Sequence, residues 1–300
     1  MYITEDQVQQ HLSIRDCIEV LRRAFALEII NIPRYRLKSH NSLMHVMSAS
    51  IPELGVMGLK SYGTSKSGGS FVVLLFAETT GELLAVVEAD AMGQIRTGSA
   101  SGLATDLLAR RDARIGAIIG SGFQADTQLL AIDCVRDFDE IRVYSRSPES
   151  RLAFLERMQP QIRARLIDCD SAGQCIRDAD VICTITSAKE PVLKGEWLRP
   201  GAHINAAGSN WASKRELDTD AVRRCDFICV DHLAQSKIES GDLVAVFGDS
   251  DEWNRVSELA EVVKGKAGRT SQNQITLFKS NGIAAEDVAA AHHIYSRLKP

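Results

Sequence analysis

Residues 114–125 read RIGAIIGSGFQA, an apolar run that ends in a glycine-rich turn and leads into a helical pattern. We interpret this stretch as the strand, tight turn and helix that bind a dinucleotide pyrophosphate. Gly120 permits the turn, Gly122 has no Cβ to obstruct the pyrophosphate, and Ala125 lets helix and strand pack closely. The helix start then presents free N–H groups and a positive dipole end to phosphate. The residues expected to hold the cofactor here are Gly120, Ser121, Gly122, Phe123, Gln124 and Ala125.

The two parts of the chain before and after this turn have different hydrophobic patterns. Beyond it, short apolar runs alternate with helical stretches, from EIRVYS through RLIDC, VICTIT and HINAAG to FICVD, which predicts βαβ units and a doubly wound parallel sheet. Residues 44–87 instead form short β-rich runs, preceded by amphipathic helices within residues 6–30. We therefore expect an α/β fold with a Rossmann-type dinucleotide-binding domain at 113–272. A second, α+β domain is expected at 1–112, closed by the C-terminal segment 273–300.

The end of the second predicted strand indicates which dinucleotide fits. An acidic residue about 20 residues beyond the glycines would bind the ribose hydroxyls of NAD. This chain has Ser145, Arg146 and Ser147 there. A guanidinium and two hydroxyls suit a 2′-phosphate, so NADP is the predicted cofactor, and NAD stays open. The alternative interpretation of Arg146 is a solvated loop residue.

Composition excludes several classes of protein. With 35 Lys and Arg against 39 Asp and Glu, the net charge is −4, and no cationic tract favours nucleic acid. No apolar run approaches the ~18 to 20 residues that span a bilayer, and the polar start MYITEDQVQQ is unlike a secretory signal. The seven cysteines include no C-x-x-C pair, so we expect neither a metal site nor a disulfide framework. A cytoplasmic protein without membrane or nucleic-acid partners is predicted.

Three long stretches carry a resemblance to a known family. They are IRTGSASGLATDLLARRDARIGAIIGSGFQA (95–125), KEPVLKGEWLRPGAHINAAGSN (189–210) and GRTSQNQITLFKSNGIAAEDVAAA (268–291). Together they resemble the ornithine cyclodeaminase and mu-crystallin family over nearly the whole chain. The resemblance implies a homodimer whose first domain binds the substrate and dimerises, and whose C-terminal segment closes back on that domain.

The resemblance also implies roles for individual residues. Arg34, Lys60 and Arg96 would clamp the carboxylate of an amino or imino acid, which orients the adjacent Cα for reaction. Each of these cations taken alone would be interpreted as a surface charge. The residues expected near the cofactor are Thr97, Thr184 and Thr186.

One position departs from the pattern of the cyclodeaminases. Those enzymes carry an acidic residue in G-x-D-x-P-G-K, whereas residues 208–214 here read GSNWASK and place Asn210 at the aspartate's position. An amide orients an amine but cannot accept its proton. Reduction of a preformed imine needs no such base, because the protein only has to hold the carboxylate and assist the reacting nitrogen. Lys60 is the expected proton donor, and Asn210 the expected orienting group.

Three functional hypotheses remain from the sequence. The preferred one is an NAD(P)H-dependent reductase of a small imino acid, of the ketimine or pyrroline-2-carboxylate type, or a related amino-acid dehydrogenase, which transfers hydride between nicotinamide and the substrate Cα. The alternatives are a cyclodeaminase-type lyase and a non-catalytic NADP-binding protein of the mu-crystallin type. His45, which lies in the β-rich segment, is a second candidate proton donor, although a lone strand histidine is more often simply packed.

Overall fold

The computed structural model describes residues 1–299. The chain forms two compact units. One comprises Met1–Ser99 and the chain from Gly282 onward, and the other comprises Ala100–Asn281. We refer to them as the first and the second unit.

The first unit contains a six-stranded, mainly antiparallel sheet in the order β1-β6-β5-β4-β3-β2. Its strands are β1 (Tyr2–Ile3), β2 (Ile30–Lys38), β3 (Ser42–Ile51), β4 (Val56–Ser65), β5 (Gly68–Ala77) and β6 (Leu83–Glu88). Its helices are α1 (Glu5–His11), α2 (Ile14–Ala26), the first part of α3 (Asp90–Leu108) and α11 (Ala284–Leu298). Helices α1 and α2 begin where the side chains of Thr4 and Ser13 accept hydrogen bonds from free backbone N–H groups.

Helix α11 belongs to this unit although it ends the chain. It packs against β3, β4 and α2. Its alanines at 284, 285 and 289–291 are buried, so the helix backbone lies close to the sheet. The core of this unit therefore lies between α11 with α2 and one face of the sheet.

The second unit is built on an eight-stranded sheet in the order β13-β12-β14-β11-β10-β7-β8-β9, in which every neighbouring pair is parallel. Its strands are β7 (Ile115–Ile119), β8 (Glu140–Tyr144), β9 (Arg165–Asp168), β10 (Val181–Thr184), β11 (His203–Ala206), β12 (Phe227–Val230), β13 (Val256–Glu258) and β14 (Thr276–Lys279). Its helices are α4 (Ala125–Val135), α5 (Pro148–Met158), α6 (Ala172–Ile176), α7 (Thr219–Arg223), α8 (Leu233–Glu239), α9 (Gly241–Phe247) and α10 (Leu259–Val263). The chain reverses its direction of winding between β7 and β10, which is the doubly wound topology, and the predicted fold class is confirmed.

The unit boundaries differ from those expected from the sequence. The sequence placed them at 112/113 and 272/273, and the units divide at 99/100 and 281/282. The C-terminal shift has a clear cause: β14, within the segment assigned to the first domain, pairs with β11 and β12 of the parallel sheet. A four-residue strand preceded by polar residues carries too little periodicity to be recognised.

A buried polar chain crosses the second sheet. His203 Nδ1 lies 2.9 Å from Thr276 Oγ1, and His203 Nε2 lies 3.2 Å from Asn205 Oδ1. Asn205 Nδ2 donates to Thr105 Oγ1 at 2.9 Å, which ties the later part of α3 to the sheet. Burial, together with the charge of Arg269, lowers the pKa of His203 to about 3, so the ring is neutral at neutral pH.

Among residues 1–299, the helices are all too short or too polar to cross a bilayer.

We predict that His203 makes folding of the second unit sensitive to acid. The unfolded chain protonates this imidazole below a pH of about 6.5, whereas the folded protein does so only near 3. The stability conferred by the neutral ring is therefore complete above pH 6.5 and is lost as the pH falls toward 3, with a slope of at most about 1.4 kcal/mol per pH unit. Urea unfolding at a series of pH values measures the free energy of unfolding. The slope of this free energy against pH should be shallower for His203→Gln than for the unchanged protein. Equal slopes would contradict the assignment.

Candidate functional site

The glycine turn of the second unit joins β7 to α4. Gly120 has a φ of +121°, and a Cβ there would lie 2.4 Å from the carbonyl oxygen of Ile185, so only glycine fits. A Cβ on Gly122 would meet no atom within 4 Å, so this position faces open space. Gln124, the residue that precedes α4, makes no side-chain capping hydrogen bond. The first-turn N–H groups of α4 are therefore not capped by this side chain, as an anion site requires.

A cleft of about 620 Å³ surrounds this turn. Of the residues predicted to hold the cofactor, it is lined by Gly120, Ser121, Gly122, Phe123, Gln124, Ser145, Arg146, Ser147 and Thr186, and Asn210 also lines it. Ala125 lies behind the turn, fully buried at the start of α4. Thr184 is also fully buried and does not line the cleft. The turn, the end of β8 and the loops after β10 and β11 thus meet at one place.

The end of β8 forms the polar wall of the cleft. Ser121 Oγ donates to Ser145 Oγ at 2.9 Å, and Ser145 Oγ donates to the carbonyl oxygen of Ser147 at 3.1 Å. Arg146 is exposed on the same wall, and Lys214 lines the cleft as a further cation. None of the described residues that line the cleft is Asp or Glu. The wall therefore offers hydroxyls and positive charge to a ligand.

A buried carboxylate, Glu216, supports the loops around the cleft. It accepts hydrogen bonds from the Thr184 hydroxyl at 2.9 Å, from the backbone N–H of Thr186 at 2.7 Å and from that of Gly208 at 2.8 Å. Burial raises the pKa of Glu216 although the charge of Lys279 opposes the rise. Thr184 thus supports the cleft wall through Glu216 and does not line the cleft. Sequence reasoning missed Glu216, because a single acid in a loop carries no periodic signal.

Lys279 fixes the loop that leads to Asn210. Its buried Nζ donates to the carbonyl oxygen of Ser209 at 2.6 Å and lies 3.1 Å from Asp242 Oδ2. Asp242 Oδ1 in turn accepts from the backbone N–H groups of Glu216 and Leu217. A lysine at the end of an apolar four-residue strand was the available signal, and sequence reasoning did not use it.

The three cations predicted from the resemblance lie together in the first unit. Arg34 is on β2, Lys60 on β4 and Arg96 on α3, and all three side chains are buried. Lys60 Nζ lies 2.8 Å from Asp287 Oδ1, and Arg96 Nε lies 3.1 Å from the same oxygen. Arg96 Nη1 also pairs with Glu286 at 3.0 Å. We call these five residues the cation cluster.

The cation cluster contains more cations than carboxylates. Its five side chains comprise three cations and two carboxylates, all of them buried. Arg34 donates to the carbonyl oxygen of Gly282 at 2.9 Å. Guanidinium and ammonium groups form charge-assisted hydrogen bonds with a carboxylate. The cluster is therefore a candidate site for a ligand carboxylate.

The protonation of the cluster follows from burial and neighbours. Burial lowers the pKa of Lys60, although Asp287 opposes this. Burial acts to raise the pKa of Asp287, but Arg96 and Lys60 outweigh it, and the net pKa is lowered. Lys60 therefore holds its proton less firmly than an exposed lysine, beside an ionised carboxylate. Such an ammonium is suited to proton donation.

Two further predicted residues lie in the first unit. Thr97 is half-buried on α3, and its hydroxyl donates to the carbonyl oxygen of Gly93 at 2.7 Å. Its expected contact with the cofactor stays a prediction. His45, on β3, has its pKa lowered to about 4 by burial and by the charges of Arg34 and Arg36. It is neutral at neutral pH, which argues against its role as a proton donor there.

Glu286 and Asp287 were the functional residues that sequence reasoning missed in this unit. The motif AAEDVAAA was recognised as part of the resemblance, but its two acids received no role. Adjacent acids in the first turn of a helix are ordinarily explained by the helix dipole. Their complete burial, which only the packing of α11 reveals, indicates that they pair with the cations.

A doubly wound unit with a dinucleotide-type turn, together with an α+β unit that buries a cationic cluster, defines the class of two-domain nicotinamide-dependent oxidoreductases. The profile of the ornithine cyclodeaminase/mu-crystallin family matches residues 1–300, and the chain belongs to this family.

Named relatives agree with this membership. The chain is 36% identical over 232 residues to a Δ1-pyrroline-2-carboxylate reductase of Bacillus cereus, covering 75% of this chain and 70% of the relative. It is 36% identical over 223 residues to the ketimine reductase mu-crystallin of Mus musculus, covering 74% and 68%. A solved structure of the Thermococcus litoralis Δ1-pyrroline-2-carboxylate reductase, in complex with NADH and L-proline, superposes with a TM-score of 0.93 at 32% identity. That superposition covers 99% of this chain and 97% of that one.

The two glycines of the turn allow fold and binding to be separated. We predict that Gly122→Ala leaves the unfolding temperature nearly unchanged but weakens dinucleotide binding about tenfold or more, because the new Cβ would stand where the pyrophosphate approaches. Gly120→Ala should destabilise the unit by at least about 1–3 kcal/mol, because its backbone conformation is restricted to glycine. Thermal unfolding and fluorescence titration with NADH and NADPH measure both effects. Unchanged affinity in Gly122→Ala would exclude the turn as the pyrophosphate site.

Proposed function

We propose that this protein is an NAD(P)H-dependent reductase of a small imino acid, of the ketimine or pyrroline-2-carboxylate type, or a closely related amino-acid dehydrogenase. The observation that carries the proposal is the cation cluster, whose three buried cations suit the carboxylate of such a substrate. The dinucleotide-type turn and cleft of the second unit supply the place for the cofactor. The relatives are named as reductases of C=N bonds, and these names support the same activity.

The proposed roles follow from the geometry of the cluster. Arg34 and Arg96 hold the substrate carboxylate through their guanidinium N–H groups, with Glu286 and Asp287 fixing the orientation of Arg96. Lys60 also contacts the substrate carboxylate, and it donates a proton to the substrate nitrogen. When bound, the reduced nicotinamide supplies hydride, which reaches the substrate Cα as the C=N π electrons pass to nitrogen. The product is the amino acid.

We place Asn210 as an orienting group for the substrate nitrogen. Its amide lines the dinucleotide cleft, on the loop that Lys279 fixes. Cyclodeamination needs a base that accepts a proton from the substrate amine, and an amide cannot do this. The absence of acids from the described lining of the cleft is a second argument against the lyase. A non-catalytic nucleotide-binding protein has no use for a buried carboxylate clamp.

We propose NADP as the preferred cofactor, with Thr97 and Thr186 near it. Ser145, Arg146 and Ser147 end β8 with hydroxyls and a guanidinium where an NAD site carries an acid. The structure of the Thermococcus litoralis relative contains NADH. The proposal of NADP therefore rests on the side chains of this cleft wall alone.

We also propose a cytoplasmic homodimer, in which the first unit is the substrate-binding and dimerisation domain. The side chains of β4 alternate, so Lys60 faces α11 while Met57 and Leu59 point to the other face of the sheet. There an apolar groove of about 460 Å³ contains Ile30 and Ile32, which are 51% and 57% exposed. Such a surface suits a second copy of the chain, which light scattering of the purified protein checks. The cytoplasm supplies reduced nicotinamide to such an enzyme.

The activity is tested directly with the purified protein. We expect oxidation of NADPH, followed by its near-ultraviolet absorbance, on addition of 1-pyrroline-2-carboxylate or 1-piperideine-2-carboxylate. Arg96→Lys should lower kcat/KM on the order of 10²-fold, because an ammonium keeps the charge but not the two-pronged contact with a carboxylate. Its affinity for NADPH should stay unchanged, which serves as the control. Ammonia release from L-ornithine without added reductant would instead favour the cyclodeaminase.

The cofactor preference has its own test. Arg146→Ala should raise the KM for NADPH about tenfold or more and leave that for NADH within about threefold, because the lost charge–phosphate pairing exists only with the 2′-phosphate. Initial rates at saturating imine with each cofactor measure this. Equal losses with both cofactors would remove Arg146 from 2′-phosphate recognition.

A further inference from the structure

Three rings form a row across the sheet of the first unit. His45 on β3 is the register partner of Tyr62 on β4, which in turn is the partner of Phe71 on β5. The rings of His45 and Tyr62 stack with centroids 4.2 Å apart and planes 6° from parallel. Those of Tyr62 and Phe71 stack at 5.0 Å and 20°. We call these three residues the aromatic row.

The aromatic row lies beside the cation cluster on the same face of the sheet. Lys60 and Tyr62 are two residues apart on β4, so their side chains project from the same face. Lys60 Nζ is 5.9 Å from the centroid of Tyr62 and 5.8 Å from that of Phe71. The row therefore lies next to the place where the cluster would hold a ligand carboxylate.

Helix α11 packs against β4 at Lys60 and at the residues that precede it, whereas the aromatic row includes Tyr62, which follows Lys60. Asp287, in its first turn, contacts Lys60, and Val288 packs against Gly58, two residues earlier on β4. The helix begins at Ala284, so it extends along β4 away from Tyr62. Tyr62 and Phe71 are only half-buried, in contrast to Lys60. Part of each of these two side chains therefore remains accessible to a ligand.

The charges around the row select the kind of side chain that fits. Arg34 and Arg36 act on His45, and Arg96 and Lys60 lie near Tyr62. These four neighbours are cationic, and the two carboxylates of the cluster, Asp287 and Glu286, already pair with Lys60 and Arg96. A second ammonium on the ligand would therefore be disfavoured beside the row. Neutral His45 adds no charge of its own. Flat, uncharged rings are instead a good surface for methylene groups or a small ring.

We propose that the aromatic row of His45, Tyr62 and Phe71 is the specificity surface for the substrate carbons beyond Cα, and that it selects an uncharged, ring-sized skeleton over a cationic one. This inference rests on the proposed function. Within that function it favours cyclic imino acids of five or six ring atoms over imines derived from diamino acids. His45, which is buried and stacked on Tyr62, thereby contributes to this surface and not to proton transfer.

The first test compares two substrates that share the carboxylate and the C=N bond. One is 1-piperideine-2-carboxylate, and the other is the imine of glyoxylate and methylamine, which has no carbon skeleton beyond Cα. We expect Phe71→Ala and Tyr62→Ala to lower kcat/KM about tenfold or more for the ring and less than about threefold for the glyoxylate imine. The matched control is Tyr295→Ala, which removes a half-buried ring from the far end of α11. It should leave unchanged the ratio of kcat/KM for the ring to kcat/KM for the glyoxylate imine.

The second test reverses the charge preference. His45→Glu places a carboxylate in the row, so oxidation of L-ornithine by NADP⁺ should rise about tenfold or more relative to oxidation of L-proline. Thermal unfolding establishes that each variant is folded. An unchanged ratio in the folded variant, or faster turnover of a dicarboxylic imine than of the cyclic one by the unchanged protein, would overturn the inference.

The failure of this inference is distinguishable from that of the proposed function. If the unchanged protein reduces neither substrate, the proposed function fails. If it reduces both and the Phe71 and Tyr62 variants lose activity equally on the two, the function stands and the aromatic row does not contact the substrate skeleton.

Discussion

The first unit depends on a buried ion cluster that would be untenable if any one element were misplaced. Lys60 and Arg96 lie in a core where an unpaired cation is strongly disfavoured. Asp287 pairs with both, at 2.8 and 3.1 Å. Because that carboxylate comes from the last helix, α11 must lie across the sheet face that carries Lys60. The charge requirement and the alanine-rich apolar surface of α11 therefore specify the same position.

The second unit uses buried charges for a different purpose. Glu216 and Lys279 hydrogen-bond backbone groups of the loops that follow β10 and β11. Loops at the carboxyl ends of strands cannot satisfy their own backbone groups by pairing within the sheet. A buried carboxylate and a buried ammonium supply the missing partners. Polar contacts on the buried side of the loops thus fix the cleft wall. The glycine turn leaves the cleft itself open to phosphate.

Family membership and reaction are set by different parts of this chain. The glycine turn, the doubly wound sheet and the α+β unit are common to the class. In the proposed mechanism the chemistry depends on a few side chains placed on that frame: Arg34, Lys60 and Arg96 for a carboxylate, and Asn210 where the resemblance places the acid of the cyclodeaminases. An amide in that position removes a proton acceptor without removing the ability to orient a nitrogen. Imine reduction is the chemistry that such a set of groups can support.

The sequence by itself determined the strands β7 to β12, because continuous apolar runs separated by helical stretches leave few alternatives. It also determined the glycine turn, where Gly120 and Gly122 follow a strand directly. The pairing of Lys60 and Arg96 with Glu286 and Asp287 was decided only by the tertiary structure, because the paired residues lie about 190 or more positions apart along the chain. The same holds for β14, a four-residue strand that is stable only between β11 and β12. Periodicity reports which residues are buried locally, whereas the partner of a buried charge depends on which distant elements the fold brings into contact.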